Sequence, residues 1–420
     1  MENCPTVYGR GSICQDKSNS GNGDKRLKGH YMTIRLLAVG DIALLSDYSI
    51  IIQTKGFDFP FAQITDFLKQ GDIVFGNLEA PLSDQGKPDP SKPICLRGSP
   101  GGIDALVSAG FTHVSLANNH AYDCGIVALR DTQRRLLQAG IATVGIGRNL
   151  VDSRQPFIQS FPRIFLALLA YNAYNTNGRY YARRNRQGIA PLEYRYIRKD
   201  IRLLRERFNP VAIVISLHWG LEGNHYPTPF QQYLARRLID NGANLILGHH
   251  PHVIQGIERY RNGLIVYSLG NFCFPDIISK HVRGVGYQQQ TENKESFIFE
   301  CGITQNGVED YRTIPIYINQ NLQPCLAYGV RKSDIISQLN RYSEPLTLIN
   351  YEDFYRKEIG YQRRHSSRLG TLLKREGIKG IYKRLRPCYF RASIFELLNF
   401  LRESQHRRHA LRGDDRSASR

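Results

Sequence analysis

Five apolar runs in this chain each stop at residues able to bind a metal ion or move a proton. IRLLAVG is followed by Asp41, DIVFG by Asn77 and Glu79, and THVSLA by Asn118, Asn119 and His120. AIVISL ends at His218, and NLIL ends at Gly248, just before His249, His250 and His252. Short β-branched runs separated by helical patterns are the signature of β-α units and a mostly parallel sheet. In such a sheet the carboxyl ends of the strands share one edge, where open α/β folds bind ligands. Asp41 and His252, more than 200 positions apart, are therefore expected at one site.

Two helices are well marked. Residues 125–139 carry apolar side chains at 126, 129, 136 and 137, with Gly140 as the stop. A second helix opens at Thr228-Pro229, a cap followed by proline in the first helical position, and ends at Asn241-Gly242. Residues 1–31, rich in Gly, Ser, Asn and charge, read as a disordered leader, 32–320 as the α/β domain, and 321–420 as a basic, helical C-terminal extension.

Charge is concentrated in that extension. Between Phe354 and Arg420 there are 18 Lys and Arg against 6 Asp and Glu, most of the chain's net charge of +19. Segments 369–386 and 392–403 alternate basic and apolar residues, a pattern suited to an anionic membrane surface, to packing on the domain, or to a solvated face. No recognised nucleic-acid module accompanies the charge, so nucleic acid is not the expected partner. No run reaches the ~18 apolar residues of a membrane span, and the N-terminus lacks a signal-peptide core. The expected location is the cytoplasm, with the tail permitting contact with the inner membrane face. The eight cysteines include no C-x-x-C pair, which argues against a zinc knuckle or a disulfide framework.

Taken singly, the strand-end residues have ordinary readings. Asp41 after Gly40 is equally a turn cap, Asn77 and Glu79 equally loop hydrogen-bonders, and a lone histidine after a strand, such as His218, is more often a hydrogen-bonded structural residue. GHHPH differs, because three imidazoles in a small loop repel when protonated and lose solvation when packed, whereas a divalent cation favours all of them neutral and bound. Carboxylate, carboxamide and imidazole donors suit one or two ions such as Mn, Fe or Zn. Such ions draw charge from a phosphoryl or carbonyl oxygen, and a histidine beside them, His120, is the candidate proton donor. Glu222, four residues after His218, is a candidate for orienting a metal histidine, and Asn271 for touching ligand or forming a turn. Residues 172–186, NAYNTNGRYYARRNR, read as a solvated loop or as a lid whose arginines hold an anionic substrate.

Longer strings carry a family pattern. AVGDIAL (38–44), DIVFGNLEAPLSD (72–84), GFTHVSLANNHAYDCG (110–125), LHWGLEGNHYPTPFQQYLARRLIDNGANLILGHHPHVIQGIE (217–258) and IVYSLGNFCF (265–274) resemble, in order, the bacterial CapA proteins of capsule and poly-γ-glutamate synthesis. That family is counted with the calcineurin-like metallophosphatases. The resemblance implies a layered α/β/β/α sandwich with a metal site at the strand ends. It implies Asp41, Glu79, Asn119, His218, His250 and His252 as metal ligands and His120 as the acid. Asn77, Asn118, Asp123, Glu222, His249 and Asn271 are then candidates for supporting those ligands or touching substrate. Glu79 stands where the wider fold uses a bridging aspartate. Ala43 stands where many relatives carry a histidine, a difference that counts against full occupancy by two ions. Two functions are implied: a metal-dependent hydrolase of a phosphoester or acidic polymer, or an accessory protein that binds anionic polymer without turning it over.

Overall fold

The strand ends that the sequence assigns to a single edge belong to two sheets. The computed structural model describes residues 33–162, 164–176, 180–278 and 286–365. The first sheet runs Pro324–Leu326, Gly307–Ile318, Glu295–Thr304, Ile34–Ile42, Ile73–Leu78, His113–Ser115, Ala142–Val144. The second runs Ile257–Tyr260, Gly263–Val266, Leu245–His249, Ala212–His218, Ile164–Asn172, Phe157–Phe161. The Asp41 and Asn77 strands are thus parallel neighbours in the first sheet, and the His218 and His249 strands in the second. A continuous apolar run declares a strand buried on both faces, but it does not say which sheet the strand joins. Antiparallel strands 295–304 and 307–318 occupy the flank of the Asp41 strand and keep the His218 strand out of that sheet.

Alternation within the second sheet makes the layers. Leu166, Leu168, Val214, Leu245, Leu247 and Val266 enter one large core with the first sheet and the helices that cover it. Their sequence neighbours Ala167, Leu169, Ile213, Ile215, Ile246 and Ile265 enter a second core with helices Tyr194–Arg207 and Pro229–Asp240. Period-2 side chains from one set of strands therefore serve both inner and outer packing, giving the expected α/β/β/α order.

The two marked helices form as their end signals require, over Gly125–Gln138 and Pro229–Asp240. At the second, Gln231 N–H donates to Thr228 Oγ1 at 3.2 Å, and Thr228 N–H donates to Gln231 Oε1 at 2.9 Å. The 320/321 boundary, by contrast, falls inside the fold. Pro324–Leu326 completes the first sheet, and helix Gly329–Ser343 buries Ile335, Leu339 and Tyr342. Gln232 Nε2 donates to Leu346 O at 2.9 Å, and Tyr351 OH donates to Pro227 O at 2.6 Å. The basic composition of this region masks its apolar stripe. The leader and the tail segments 369–386 and 392–403 lie outside the described residues. No helix among the described residues is long and apolar enough to cross a membrane.

One crossing positions the site. After Gly263–Val266 the chain leaves the second sheet through Ser268-Leu269-Gly270 and adds Asn271–Cys273 beside the Asp41 strand, with Asp41 opposite Asn271. The backbones touch there: a Cβ on Gly40 would stand 1.9 Å from Gly270 O, so only glycine fits. The two sheets are pinned together at the level where their carboxyl ends meet.

Candidate metal centre

Asp41 is the hub of this junction. It is fully buried at the end of its strand. Its Oδ1 accepts from Asn77 Nδ2 at 2.8 Å, and its Oδ2 accepts from the backbone N–H of His250 at 3.1 Å. The Nδ1 atoms of His249 and His252 stand 3.3 and 3.4 Å from its two oxygens. Burial alone would raise its pKa, but the two imidazoles beside it hold it well below the carboxylate range. One strand over, Asn77 accepts at Oδ1 from Asn118 Nδ2 (3.1 Å), and Asn118 also donates to Leu78 O (2.8 Å). Asn118 Oδ1 then accepts from the His120 N–H at 3.2 Å, which ties the acid-bearing turn to the strand.

Glu79 is the anomaly. It is fully buried, and neither carboxylate oxygen has a hydrogen-bond partner. Burial, reinforced by the Asp41 charge, pushes its pKa well above the usual range. The Nε2 atoms of His218 and His252 each stand 3.6 Å from Oε1. His252 is lifted to about 10, because Glu79 and Asp41 outweigh its burial. Without a cation, the buried carboxyls of Asp41 and Glu79 have only His252 to offset them, so one proton is shared between Glu79 and His252. A buried carboxyl with no donor costs several kcal/mol by transfer scales, of order 2–7, and an ionised one costs more. Residues of this kind are held by a counter-ion or a metal.

The histidine loop shows the same want of partners. His249 is buried with no hydrogen bond at either ring nitrogen, and His250 with none at Nδ1. Burial depresses His250 to about 4 and pushes His218 well below its ordinary value, so both are neutral imidazoles; His250 has a free Nδ1, while the His218 ring nitrogens face Asn77 Nδ2 and Asn119 Oδ1. His250 and His252 sit at φ 96° and 58°, in the left-handed region that favours glycine. Strain of order 1–3 kcal/mol at two neighbouring site residues marks the loop as shaped for its side chains. His252 is anchored by Asn271, whose Oδ1 lies 2.9 Å from Nδ1.

Three overlapping sets of ligand atoms lie within 4.8 Å of one another: Glu79, His218 and His250; Asp41, Glu79 and His252; and Glu222, His250 and His252. Glu79, His250 and His252 each belong to two sets. Asn119 joins them through Oδ1, 2.7 Å from His218 Nε2. Glu222 is exposed at the rim, where it completes the third set instead of backing a histidine. The donor chemistry fits divalent ions, and the orphaned atoms of Glu79 and His250 are what such ions would satisfy.

Beside the cluster stands His120. Its Nδ1 lies 2.6 Å from Asp123 Oδ2, which leaves Nε2 for a substrate. Asp123 is buried and also accepts from Leu96 N–H at 2.7 Å and from Lys92 Nζ. Lys92 Nζ donates in addition to Asn119 O at 2.9 Å. Burial raises the carboxyl, but His120 and Lys92 prevail and keep it ionised. His120 is depressed below its ordinary pKa by burial, with Asp123 pulling the other way.

The structure thus gathers Asp41, Asn77, Glu79, Asn118, Asn119, His120, Asp123, His218, Glu222, His249, His250, His252 and Asn271 into one place. Sequence reading missed Lys92, which lies in the irregular SKPIC stretch with no periodicity to mark it. It also missed Gln289 and Asn293, which hold Asn271 and the His252 carbonyl: Asn271 Nδ2 donates to Gln289 Oε1 (3.2 Å), and Asn293 Nδ2 donates to His252 O (3.0 Å). Trp219 is core, its indole donating to Tyr267 O at 3.1 Å.

Comparison with known proteins identifies relatives of the chain. The family described as bacterial capsule synthesis protein PGA_cap matches residues 35–276, more than half of the chain. Among curated proteins, the chain is 29% identical over 313 residues to the capsule biosynthesis protein CapA of Bacillus anthracis, covering 73% of each. It is 29% identical over 308 residues to the PGA biosynthesis protein CapA of Bacillus subtilis, covering 73% of this chain and 77% of that one. Among solved structures, a phosphatase from Mycoplasma pneumoniae aligns at 13% identity and a TM-score of 0.44, covering 68% of this chain and 94% of that one.

Proposed function

Because the chain belongs to the PGA_cap family of bacterial capsule synthesis proteins, we propose that it is a metal-dependent hydrolase acting on an ester or amide of an anionic substrate of capsule or poly-γ-glutamate metabolism. The observation that carries this reading is the buried Glu79 carboxyl with no hydrogen-bond partner, ringed by His218, His250, His252 and Asp41, next to a histidine held by a carboxylate. The residues that would hold one or two divalent ions are Asp41, Glu79, Asn119, His218, His250 and His252, with Glu222 at the rim. When bound, such ions supply Lewis-acid polarisation of a phosphoryl or carbonyl oxygen and neutralise developing negative charge.

The chain's own residues supply the rest. Asp123 fixes the proton of His120 at Nδ1 and sets the ring's orientation, so that a second proton at Nε2 can pass to the leaving atom. Lys92 fixes Asp123 in turn and ties it to the Asn119 backbone, so acid and ligand move as one unit. Asn77 and Asn118 keep the Asp41 carboxylate and the His120 turn in register. One feature favours the accessory alternative: buried Ala43 offers no ligand atom at the position where the family resemblance implies a histidine. The basic residues beyond 365 would add contact with an anionic surface, a separate part of the proposal that vesicle binding by a chain lacking 366–420 would test.

The deciding experiment presents the metal-loaded protein with phosphomonoesters, phosphodiesters and γ-linked glutamate polymer. The hydrolase reading expects turnover of at least one class, abolished by chelator and by His120→Ala with metal retained. Polymer binding without turnover of any class would establish the accessory reading instead.

A further inference from the structure

We infer that the turn Arg183–Arg186 forms a second anion-binding subsite at the mouth of the metal centre, so that the ligand is a chain of repeated carboxylate or phosphate groups. The inference rests on the proposed reading only for where the reacting group sits.

Two independent ties place this turn at the site. The segment leaves the second sheet from the end of strand Ile164–Asn172, where Asn172 lies opposite His218 and Ala173 N–H donates to His218 O at 2.9 Å. Tyr181, on the same segment, accepts at its hydroxyl from Asn172 Nδ2 (3.2 Å) and donates to Ala173 O (2.6 Å). On the other side, Tyr180 stacks on Tyr122, two residues past His120, with ring centroids 3.9 Å apart. Arg186 is close enough to act on the Tyr122 hydroxyl: burial pushes that phenol up, and the Arg186 charge opposes it.

The turn is held rigidly while its cations face solvent. Arg183 N–H donates to Arg186 O at 2.8 Å, Leu150 N–H to Arg183 O at 2.9 Å, and Ala182 N–H to Ile189 O at 2.8 Å. Arg183, Arg184 and Arg186 are all exposed. Among the described residues, the guanidinium groups of Arg183 and Arg184 have no carboxylate or hydrogen-bond partner, and Arg186 donates only to Tyr181 O, at 2.9 Å. With Tyr174, Tyr181 and Tyr196 they line a cavity of about 320 Å³. The one acid in its wall, Glu193, is already engaged by Tyr174 OH and by Arg195, each at 2.7 Å. Three forked cations lining a tyrosine-walled cavity, with the local carboxylate neutralised, suit a run of anionic groups better than a single one.

A single-group substrate would fill the metal centre and leave this cavity unused. A chain would reach both, and the second contact would raise its affinity over that of its monomer. Carboxylate and phosphate chains share the required chemistry and differ in charge per repeat.

The test measures binding to metal-loaded protein of short γ-linked glutamate oligomers and of inorganic polyphosphate, each beside its monomer, for wild type, Arg183→Gln/Arg184→Gln and Arg184→Glu. Loss of two forked contacts is expected to weaken chain binding by about tenfold, to flatten its salt dependence, and to shrink the chain-over-monomer ratio, with metal content retained. The tighter of the two chains identifies carboxylate or phosphate, and either supports the subsite. Chains binding all three proteins alike, or wild type showing no preference for chain over monomer, would overturn it. Chain binding through the turn without hydrolysis of any ester or amide leaves the subsite standing and removes only the hydrolase.

Discussion

Glu79→Gln separates the cost of an unpartnered buried carboxyl from its use as a ligand. In the metal-free protein Glu79 takes up a proton on folding, since its pKa is raised well above the ordinary 4.5 by burial and by Asp41. The unfolded chain releases that proton as pH passes 4.5, while the folded chain keeps it to a higher pH. A raised carboxylate pKa therefore lowers stability as pH rises through this window, by up to about 1.4 kcal/mol per pH unit. Glutamine has the same shape and no such titration, so groups other than Glu79 and its partner His252 cancel in the comparison. Urea unfolding in chelator at a series of pH values from 5 to 8 should show wild type losing ground to Glu79→Gln as pH increases. Adding a divalent ion at about 100 times its Kd should reverse the order, stabilising wild type by about 2.7 kcal/mol and the variant much less. A gap independent of pH, or equal stabilisation of both proteins by metal, would refute the idea that Glu79 is an orphan awaiting a cation.

Three further outcomes follow from the same geometry. Lys92→Met, which frees Asp123 to move, should slow substrates with poor alkoxide leaving groups by on the order of 10–100-fold and affect nitrophenyl esters much less; a uniform loss across leaving groups would show a purely structural role. Because His120 is depressed below its usual pKa, turnover of poor leaving groups at saturating metal should fall as pH rises through that lowered value, and His120→Ala should remove this limb from the pH profile. At φ 96°, His250→Gly should give a metal-free protein about 1 kcal/mol more stable than His250→Ala by thermal or urea unfolding, and equal stability would show that the loop carries no strain.

Much of the site is legible in the sequence because strands and chemistry coincide. Asp41, Asn77 and His218 sit on the last turns of strand, so an apolar run followed by a donor marks each without any knowledge of tertiary contacts. The GHHPH loop is legible because three imidazoles together have few ordinary explanations. Other features carry no local signal. Whether the His218 strand joins the Asp41 sheet or a second one is decided by the antiparallel pair 295–304 and 307–318, far downstream, so the layered architecture came from the family pattern and not from periodicity. Lys92 acts through a single terminal nitrogen on an irregular loop, and its neighbours in sequence say nothing of Asp123. The helices after Gly329 look like a polar, basic extension because their buried stripe is narrow, yet Leu339, Tyr342 and Tyr351 pack into the body. The left-handed backbone of His250 and His252 follows from the need to turn both side chains toward Glu79 and Asp41, a tertiary demand that composition does not record.

The central claim is that the cluster around Glu79 holds divalent metal, and elemental analysis of the purified protein tests it directly. Wild type should carry one or two transition ions per chain, and His250→Ala/His252→Ala should carry none while remaining folded. A wild type that stays empty after incubation with Mn, Fe and Zn, or a double variant that keeps its full complement, would contradict the account.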